Sequence, residues 1–235
     1  MKNFIFDIYG TLVDIRTDEH SETFRREFQR YFRQVCDKEV DFWGPYEQLI
    51  RVCEQPYGEI DFIAIVKQIA ADGGVNLSDG TAWEVAAHFR ELSRSRLLTY
   101  PGVPTMLEGI RQKGGKLYIL SNAQASFTLK ELEELKIKQY FDGIELSSDF
   151  GEKKPSPAFF RHILNKYALD LSECIYIGND FACDILSSKA AGMKAAYIRS
   201  NISPAEDDLA RAAETADFAT DDYSCLVEYL LGLLH

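Results

Sequence analysis

Four short stretches of the chain carry side chains that together could transfer an acyl or phosphoryl group. They follow apolar runs and occupy residues 7–11, 121–122, 153–155 and 179–184. A carboxylate such as that of Asp7 can act as a nucleophile and form a covalent intermediate. A hydroxyl group such as that of Ser121 can help to hold phosphate oxygens, and a lysine offsets the charge that gathers on an anion. The carboxylates of Asp180 and Asp184 can hold Mg²⁺, which prefers oxygen ligands.

The elements that must position these stretches are the strands of one sheet. Apolar, β-forming runs predict strands at residues 4–6, 116–120, 143–146, 174–177, 194–198 and 218–219. After residue 101 the strands alternate with helices, which predicts an α/β fold with a doubly wound, parallel, Rossmann-like sheet. The first strand should join the same sheet. Because such sheets bind ligands at the carboxyl ends of their strands, we expect the four stretches to meet there.

Between the first two stretches the sequence has a different pattern. From about residue 17 to residue 96, apolar residues such as Phe24, Phe28 and Phe32 recur at helical spacing, with no strand predicted among them. This predicts an inserted all-helical cap, residues 16–97, on an α/β core made of residues 1–15 and 98–235. An insertion at the carboxyl edge of the sheet could cover whatever binds there.

Composition and charge narrow the classes of protein to which the chain could belong. With 46% hydrophobic and 27% charged residues, the 235-residue chain has the composition of an ordinary soluble globular protein. A formal net charge of -11 argues against nucleic acid or an anionic membrane surface as the main partner. No apolar run is long enough to cross a bilayer, and no signal peptide is recognised. Five scattered cysteines predict reduced, mostly buried thiols and hence a cytoplasmic protein.

The four stretches, in their order along the chain, resemble the four motifs of the haloacid dehalogenase superfamily. The matching segments are D-x-x-G-T-L at residues 7–12, L-S-N at 120–122, K-P at 154–155 and G-N-D-x-x-x-D-I at 178–185, followed by A-A-G-M at 190–193. The helical insertion lies between the first two motifs, as in members with a type-1 α-helical cap. The resemblance covers the whole chain and implies a hydrolase of the phosphatase and 2-haloacid dehalogenase branch.

The resemblance also implies a role for each motif residue. Asp7 would be the nucleophile, Thr11 and Ser121 would orient Asp7 and the substrate oxygens, and Lys154 would stabilise the charged intermediate. The implied catalytic set is Asp7, Tyr9, Thr11, Ser121, Asn122 and Lys154. The implied binding set for a small anionic substrate is Gly10, Thr11, Ser121, Asn122 and Lys154. The implied ligands of Mg²⁺ are Asp7, the backbone carbonyl of Tyr9, Asp180 and Asp184.

Tyr9 departs from the pattern of the phosphatases. Those enzymes normally carry a second aspartate two residues after the nucleophile, where it acts as general acid and base. A tyrosine hydroxyl, with a reference pKa of about 10, replaces such a carboxylate poorly at neutral pH. Tyrosine at this position is typical of L-2-haloacid dehalogenases, in which the aspartate attacks carbon and displaces halide. Alternatively, Tyr9 is only an aromatic residue that packs under the cap.

The fourth motif favours a metal-dependent phosphatase instead. The metal-free dehalogenases use serine and asparagine there, whereas this chain has Asp180 and Asp184, with Phe181 at the asparagine position. Carboxylates close to Asp7 would repel one another unless a cation lay between them, which favours a metal site. Asn179 replaces the aspartate usual in phosphatases. Simpler interpretations are that Asp184 is a helix N-cap and that Asp7 caps a turn.

Three functions remain open at this point. The first is a Mg²⁺-dependent phosphatase that acts on a small phosphorylated metabolite through an aspartyl-phosphate at Asp7. The second is a 2-haloacid dehalogenase that forms an aspartyl ester at Asp7. The third is a weakly active member that binds a phosphorylated ligand or a partner protein. The sequence identifies neither the substrate nor the oligomeric state.

Overall fold

The predicted strands form one parallel sheet. The computed structural model describes residues 1–53 and 56–234. Their strands are β1 (Asn3–Phe6), β2 (Val13–Thr17), β3 (Arg94–Thr99), β4 (Lys116–Ser121), β5 (Gly143–Leu146), β6 (Cys174–Gly178), β7 (Lys194–Ile198) and β8 (Phe218–Thr220). Six of these strands pair in the order β5-β4-β1-β6-β7-β8, and every pair is parallel. The α/β fold class is therefore confirmed.

Helices cover both faces of this sheet. The α-helices of the described residues are α1 (Glu22–Cys36), α2 (Trp43–Cys53), α3 (Phe62–Asp72), α4 (Asp79–Ser93), α5 (Val103–Gln112), α6 (Ala125–Glu134), α7 (Ser147–Phe150), α8 (Pro157–Lys166), α9 (Ser187–Ala190), α10 (Leu209–Thr215) and α11 (Tyr223–Gly232). Alternate residues of a strand point to opposite faces. Phe4 and Phe6 of β1 pack with α5 and α11, whereas Ile5 packs with α8. The sheet is doubly wound, as predicted.

The central position of β1 determines where the motif loops lie. Phe6, its last residue, is level with Ile119 of β4 and with Ile177 of β6. The loops that follow these three strands therefore begin at nearly the same height, at the carboxyl edge of the sheet. The first, second and fourth motifs occupy the last residues of these strands and the loops that follow them.

The inserted cap, formed by helices α1 to α4, has a hydrophobic core of its own. Ser21, Asp61 and Ser78 precede α1, α3 and α4, and each side chain accepts a hydrogen bond from a backbone N–H of the first turn. The core is rich in aromatic rings, such as Phe28 and Phe89, which meet edge to face at 4.9 Å. The helical cap is confirmed, while its boundaries at residues 16 and 97 remain predictions.

A two-stranded antiparallel ribbon, absent from the sequence predictions, joins the cap to the core. β2 pairs with β3, and Asp14 of one strand forms a 2.6 Å ion pair with Arg96 of the other. The helical prediction for residues 17–96 is wrong at both ends, because Thr17 and Arg94 belong to this ribbon. Its strands are short and partly exposed and carry charged residues, so no apolar run marks them in the sequence.

The cysteines and the helix lengths bear on two further predictions. The five cysteines are free thiols, but only Cys36 and Cys174 are buried and Cys225 is exposed, so the expectation of mostly buried thiols is wrong. Across residues 1–53 and 56–234, every helix is too short or too polar to cross a membrane.

Candidate active site

The motif loops surround a cavity at the carboxyl edge of the sheet. Its volume is about 280 Å³, near the lower end of the range for small-molecule sites. The lining residues are Asp7, Tyr9, Ser121, Asn122, Lys154, Asn179, Asp180, Cys183, Asp184, Ile202 and Pro204. A larger cavity of about 600 Å³, beside Pro155 and Leu186, has no carboxylate in its lining. The smaller cavity is therefore the candidate active site.

Asp7 presents one anchored and one uncommitted carboxylate oxygen. Its Oδ1 accepts hydrogen bonds from Ser121 Oγ at 2.8 Å and from Lys154 Nζ at 2.7 Å. Its Oδ2 takes no hydrogen bond from any residue that the structure describes. Burial raises the pKa of Asp7, and the charge of Lys154 opposes that rise. The arrangement fixes the carboxylate and leaves one oxygen available as a nucleophile.

Lys154 is the cation that Asp7 and Asp184 share. Its Nζ donates to Asp7 Oδ1, to Asp184 Oδ1 at 2.6 Å and to the hydroxyl of Tyr176 at 2.8 Å, which uses all three ammonium protons. Burial opposes the charge of Lys154, but Asp184 and Asp7 together raise its pKa well above the ordinary value. For Asp7 and Asp184, the mutual repulsion that would otherwise call for a metal ion is therefore relieved by Lys154.

Asn122 holds the loop that carries this lysine. Asn122 Nδ2 donates to the carbonyl oxygen of Lys154 at 3.0 Å, and the Lys154 N–H donates to Asn122 Oδ1 at 2.6 Å. The neighbouring Lys153 donates its backbone N–H to the carbonyl of Tyr57 instead. Asn122 therefore lines the cavity and also fixes the backbone of the third motif.

Thr11 and Gly10 contact the fourth motif rather than the nucleophile. Thr11 is buried, lies outside the cavity lining, and donates from Oγ1 to Asn179 Oδ1 at 3.1 Å. Gly10 has φ +88°, and a Cβ at this position would lie 2.2 Å from Asn179 Nδ2. The structure thus brings both residues to Asn179, and it does not bring the Thr11 hydroxyl to Asp7.

Asp180 and Asp184 have different surroundings. The carboxylate of Asp184 accepts from Lys154 at Oδ1 and from the N–H groups of Asn179 and Asp180 at Oδ2. The Tyr176 hydroxyl lies 3.2 Å from the same Oδ1, but its one proton also reaches the carbonyl of Leu120 at 2.7 Å. Asp180 is the N-cap of the π-helical turn Phe181–Leu186, since its Oδ1 accepts from the Cys183 N–H at 2.7 Å. The N-cap interpretation of Asp184 is therefore wrong, because Asp180 has that role.

The hydroxyl of Tyr9 is committed to residues outside the cavity lining. It contacts Thr128 Oγ1 at 2.9 Å and donates to Glu131 Oε2 at 2.5 Å. Burial and the charge of Glu131 raise its pKa. Its backbone carbonyl accepts no hydrogen bond from a described residue. The hydroxyl is thus unsuited to acid–base chemistry at Asp7, while the carbonyl is free to accept.

The oxygen atoms left over suit a divalent cation. Asp7 Oδ2, the Tyr9 carbonyl and the second oxygen of Asp180 belong to residues that line the cavity. Asp7 Oδ2 has two acceptor positions, so holding an ion with one leaves the other for attack. Within the described residues, no three histidine, cysteine, aspartate or glutamate side chains form a ready-made metal cage. Mg²⁺ is commonly held by one or two carboxylates together with water and substrate phosphate, so the donor set fits this ion.

Several residues of the site carried no recognised signal in the sequence. Tyr176 supports Lys154 and Asp184, and Ile202 and Pro204 form an apolar part of the cavity wall. Glu131 and Arg90 contact Tyr9. Tyr176 lies inside a buried strand, where an aromatic residue ordinarily indicates packing. Ile202 could have been found from one signal: it is an apolar residue in the loop after β7, at the carboxyl edge of the sheet, where a ligand is expected.

Comparison with known proteins gives the same family as the motifs. A family model described as haloacid dehalogenase-like hydrolase matches residues 1–192. A phosphoglycolate phosphatase from Pseudomonas fluorescens is 27% identical over 131 residues, which is 56% of this chain and 48% of that protein. A glyceraldehyde 3-phosphate phosphatase from Pyrococcus abyssi is 26% identical over 203 residues, covering 85% of this chain and 82% of that protein. The chain spans about half the length of the phosphoglycolate phosphatases first matched.

Solved structures share the fold over the whole chain. A 2-haloacid dehalogenase from Pseudomonas syringae pv. Tomato DC3000 has a TM-score of 0.67 at 22% identity, with 100% of both chains covered. A HAD phosphatase from Thermococcus onnurineus has a TM-score of 0.63 at 19% identity, with 98% of both chains covered. These likenesses confirm the fold, and at such identities they do not choose between the two reactions.

Proposed function

This chain belongs to the haloacid dehalogenase-like hydrolases, and from that premise we propose that it is a phosphatase of a small phosphorylated metabolite. The observation that carries the proposal is the state of Asp7, with one oxygen fixed by Lys154 and Ser121 and the other free beside the cavity. The names of the relatives, phosphoglycolate phosphatase and glyceraldehyde 3-phosphate phosphatase, support phosphoryl chemistry.

The proposed reaction has two displacements at phosphorus. Asp7 Oδ2 attacks the phosphorus atom, the bond from phosphorus to the ester oxygen breaks, and an aspartyl-phosphate forms on Asp7. Water then attacks the same phosphorus atom, inorganic phosphate leaves, and the carboxylate is restored. Lys154 keeps its charge next to Asp7 throughout and offsets the negative charge that develops on the phosphoryl oxygens.

The same proposal includes Mg²⁺, held by Asp7, the carbonyl of Tyr9 and Asp180. When bound, the ion would neutralise charge on the phosphoryl oxygens. Both oxygens of Asp184 are already engaged, Oδ1 by Lys154 and Oδ2 by two backbone N–H groups, so we assign it the positioning of Lys154 and of the backbone at Asn179 rather than a ligand role.

The leaving group departs without help from Tyr9. Because its hydroxyl is committed to Glu131 and Thr128, the proton for the departing alkoxide comes from water, or the group leaves unprotonated. The small cavity and the apolar wall at Ile202 and Pro204 favour a compact substrate. A phosphorylated metabolite of this size is also in keeping with the cytoplasmic location predicted from the cysteines.

The test is release of inorganic phosphate from phosphoglycolate and glyceraldehyde 3-phosphate, with Mg²⁺ and with EDTA. The proposal expects Mg²⁺-dependent release that Asp7→Asn abolishes. Asp221→Asn, which makes the same change at an exposed position outside the cavity lining, is expected to keep full activity. Phosphate release that persists in EDTA would contradict the role of Mg²⁺. Phosphate release that persists in Asp7→Asn would contradict the role of Asp7 as the nucleophile.

A second candidate, 2-haloacid dehalogenase, is favoured by one specific observation. Lys154 already compensates Asp7 and Asp184, so Asp7 can act as a nucleophile without a metal ion. Asp7 Oδ2 would then attack the carbon that bears the halogen, halide would leave, and water would hydrolyse the aspartyl ester. Halide release from 2-chloropropionate in EDTA would establish this reaction, and absence of release across a panel of 2-haloacids would exclude it.

A further inference from the structure

A buried ionic cluster joins the cap to the loop that carries the nucleophile. Its centre is Glu131 of α6, whose side chain is 3% exposed. Glu131 Oε1 accepts from Arg90 Nε at 2.7 Å and from an Arg94 guanidinium N–H at 3.4 Å. Its other oxygen accepts from the hydroxyl of Tyr9. One carboxylate therefore contacts the last turn of cap helix α4, the start of ribbon strand β3 and the first motif.

Arg90 extends the cluster along the boundary between cap and core. Its guanidinium lies 5.6 Å from the centre of the Tyr9 ring and 5.0 Å from that of Phe127. Arg90 also forms an ion pair with Glu19 at 3.4 Å. Burying such charges carries a large desolvation cost, and apolar residues would often hold two surfaces together equally well. Adhesion alone therefore does not account for this cluster.

Tyr9 links the cluster to the nucleophile through the backbone. Tyr9 is two residues from Asp7, in a turn where the N–H groups of Thr11, Leu12 and Val13 all donate to the carbonyl of Ile8. These bonds tie residues 8–13 into one turn that directly follows Asp7, so we expect a displacement of Tyr9 to reach Asp7 through Ile8. Thr128, one turn before Glu131 on α6, holds the same hydroxyl from a second side.

We propose that Glu131 is a positioning residue, which holds the Asp7 turn through the Tyr9 hydroxyl and ties the placement of that turn to the cap through Arg90. Its kinetic consequence rests on the proposed function, whereas its structural consequence does not. When the contact is intact, cap and nucleophile turn share one arrangement. When it is lost, each fluctuates separately, and Asp7 leaves its attacking position for part of the time.

The chain offers a matched pair of variants for testing this role. Glu131→Gln keeps the shape and one carbonyl acceptor but removes the charge that binds Arg90 and Tyr9. Glu134→Gln makes the same change one turn along α6, where the half-exposed carboxylate binds Arg94 and no other residue that the structure describes. Tyr9→Phe removes only the hydroxyl, so it breaks the contact from the other end and covers the case in which Glu131→Gln fails to fold.

The first measurement is backbone hydrogen exchange, which requires no substrate. We expect Glu131→Gln and Tyr9→Phe to accelerate exchange both in residues 8–13 and in the last turn of α4, while Glu134→Gln leaves residues 8–13 unchanged. Acceleration restricted to α6, or equal acceleration of residues 8–13 in Glu134→Gln, would overturn the proposal. The exchange measurement is valid even if no substrate releases phosphate. Absence of phosphate release would contradict the phosphatase function but not the positioning role of Glu131.

The second measurement separates kcat from KM. A displaced nucleophile lowers kcat, by about 10²-fold for a misplacement near 1 Å, and it leaves KM nearly unchanged. Tyr9→Phe and Glu131→Gln act on one contact, so the double variant should be no slower than the slower single variant. If kcat stays at the parent value in Glu131→Gln while thermal stability falls, the residue is merely structural. If the two effects multiply, Tyr9 acts independently of Glu131.

Discussion

At the scale of single residues, the candidate site depends on one lysine that serves two carboxylates. Lys154 is 2% exposed at its side chain and lies between Asp7 and Asp184. Removing one member of a buried charged group leaves the others uncompensated, which costs more than the group contributes when it is complete. The stability of the core and the position of the nucleophile therefore depend on the same ammonium group.

Replacing this lysine should destabilise the fold strongly. We expect Lys154→Met to lower the free energy of unfolding by about 3–5 kcal/mol, because Asp7 and Asp184 then face each other without a cation. Lys153→Met, which removes the same charge from the preceding residue, should change it by about 0.5 kcal/mol or less. Urea unfolding followed by circular dichroism gives both values. Equal losses in the two variants would show that Lys154 does not bridge the carboxylates in solution.

Gly10 allows the packing around the nucleophile turn to be measured. Gly10→Ala adds a Cβ that would lie 2.2 Å from Asn179 Nδ2, on a backbone with φ +88°. Gly151 has nearly the same φ, +84°, with nothing within 4 Å of its added Cβ. Gly151→Ala should therefore cost only the left-handed strain, about 1 kcal/mol, and Gly10→Ala should cost distinctly more in urea unfolding. If the two substitutions lower the free energy of unfolding by similar amounts, the Asn179 side chain moves away from the added Cβ at little cost.

At the scale of elements, helix α6 belongs to the α/β core domain but also completes the hydrophobic core of the cap. Phe127 is buried in the aromatic cluster of the cap, 5.0 Å from the Phe62 ring and 5.9 Å from the Phe89 ring. Leu132, further along the same helix, packs instead in the core. The two faces of one helix thus belong to two hydrophobic clusters.

Phe127→Ala should loosen the cap without unfolding the core. We expect the free energy of unfolding of the cap to fall by about 3–5 kcal/mol, because removal of the large ring leaves a cavity between Phe62 and Phe89. Leu132→Ala should cost about 2–5 kcal/mol, but in the core. Limited proteolysis separates the two, since cleavage within residues 17–93 should accelerate in Phe127→Ala and not in Leu132→Ala. Cleavage at equal rates would mean that cap and core unfold together.

An element could be predicted when the residues that determine its structure are close together in the sequence. Strand β1 and the residues after it could be predicted because an apolar run and a following carboxylate are adjacent in sequence. The β2–β3 ribbon could not, because its pairing joins residues some eighty positions apart through half-exposed, charged strands. The side-chain direction of Tyr9 likewise depends on Glu131, 122 positions away, so position 9 was predicted as a site residue but its partner was not.

At the scale of the whole molecule, the cap contacts the core at several places besides the ribbon. Lys153 donates its backbone N–H to the carbonyl of Tyr57, and Glu59 donates its own to the carbonyl of Gly151. Ser147 Oγ also donates to the Glu59 carboxylate at 2.9 Å. These bonds lie directly beside the third motif, so any opening of the cap must break contacts next to Lys154.

The acid stability of the whole fold should depend on Glu145, a buried carboxylate on β5. It accepts from His162 at 2.6 Å and from Tyr167 and Lys166 at 2.7 Å, all on or next to α8. Burial favours its neutral form, but hydrogen bonds from Lys166, Tyr167 and His162 outweigh burial and lower its pKa below 4.5. Because the folded carboxylate binds its proton less tightly than the unfolded one, its contribution is complete above the unfolded pKa and disappears as pH falls through the lower, folded pKa.

Glu145→Gln should therefore be less stable than the parent near neutral pH, and the difference should shrink as the solution is acidified. Urea unfolding from about pH 6 down to about pH 3 measures this difference, and the decline should occur below the unfolded pKa. Glu214→Gln, at an exposed position on α10, should follow the parent at every pH. A difference that stays constant across the range would show that Glu145 contributes packing alone, and one that grows on acidification would reverse the sign of its pKa shift.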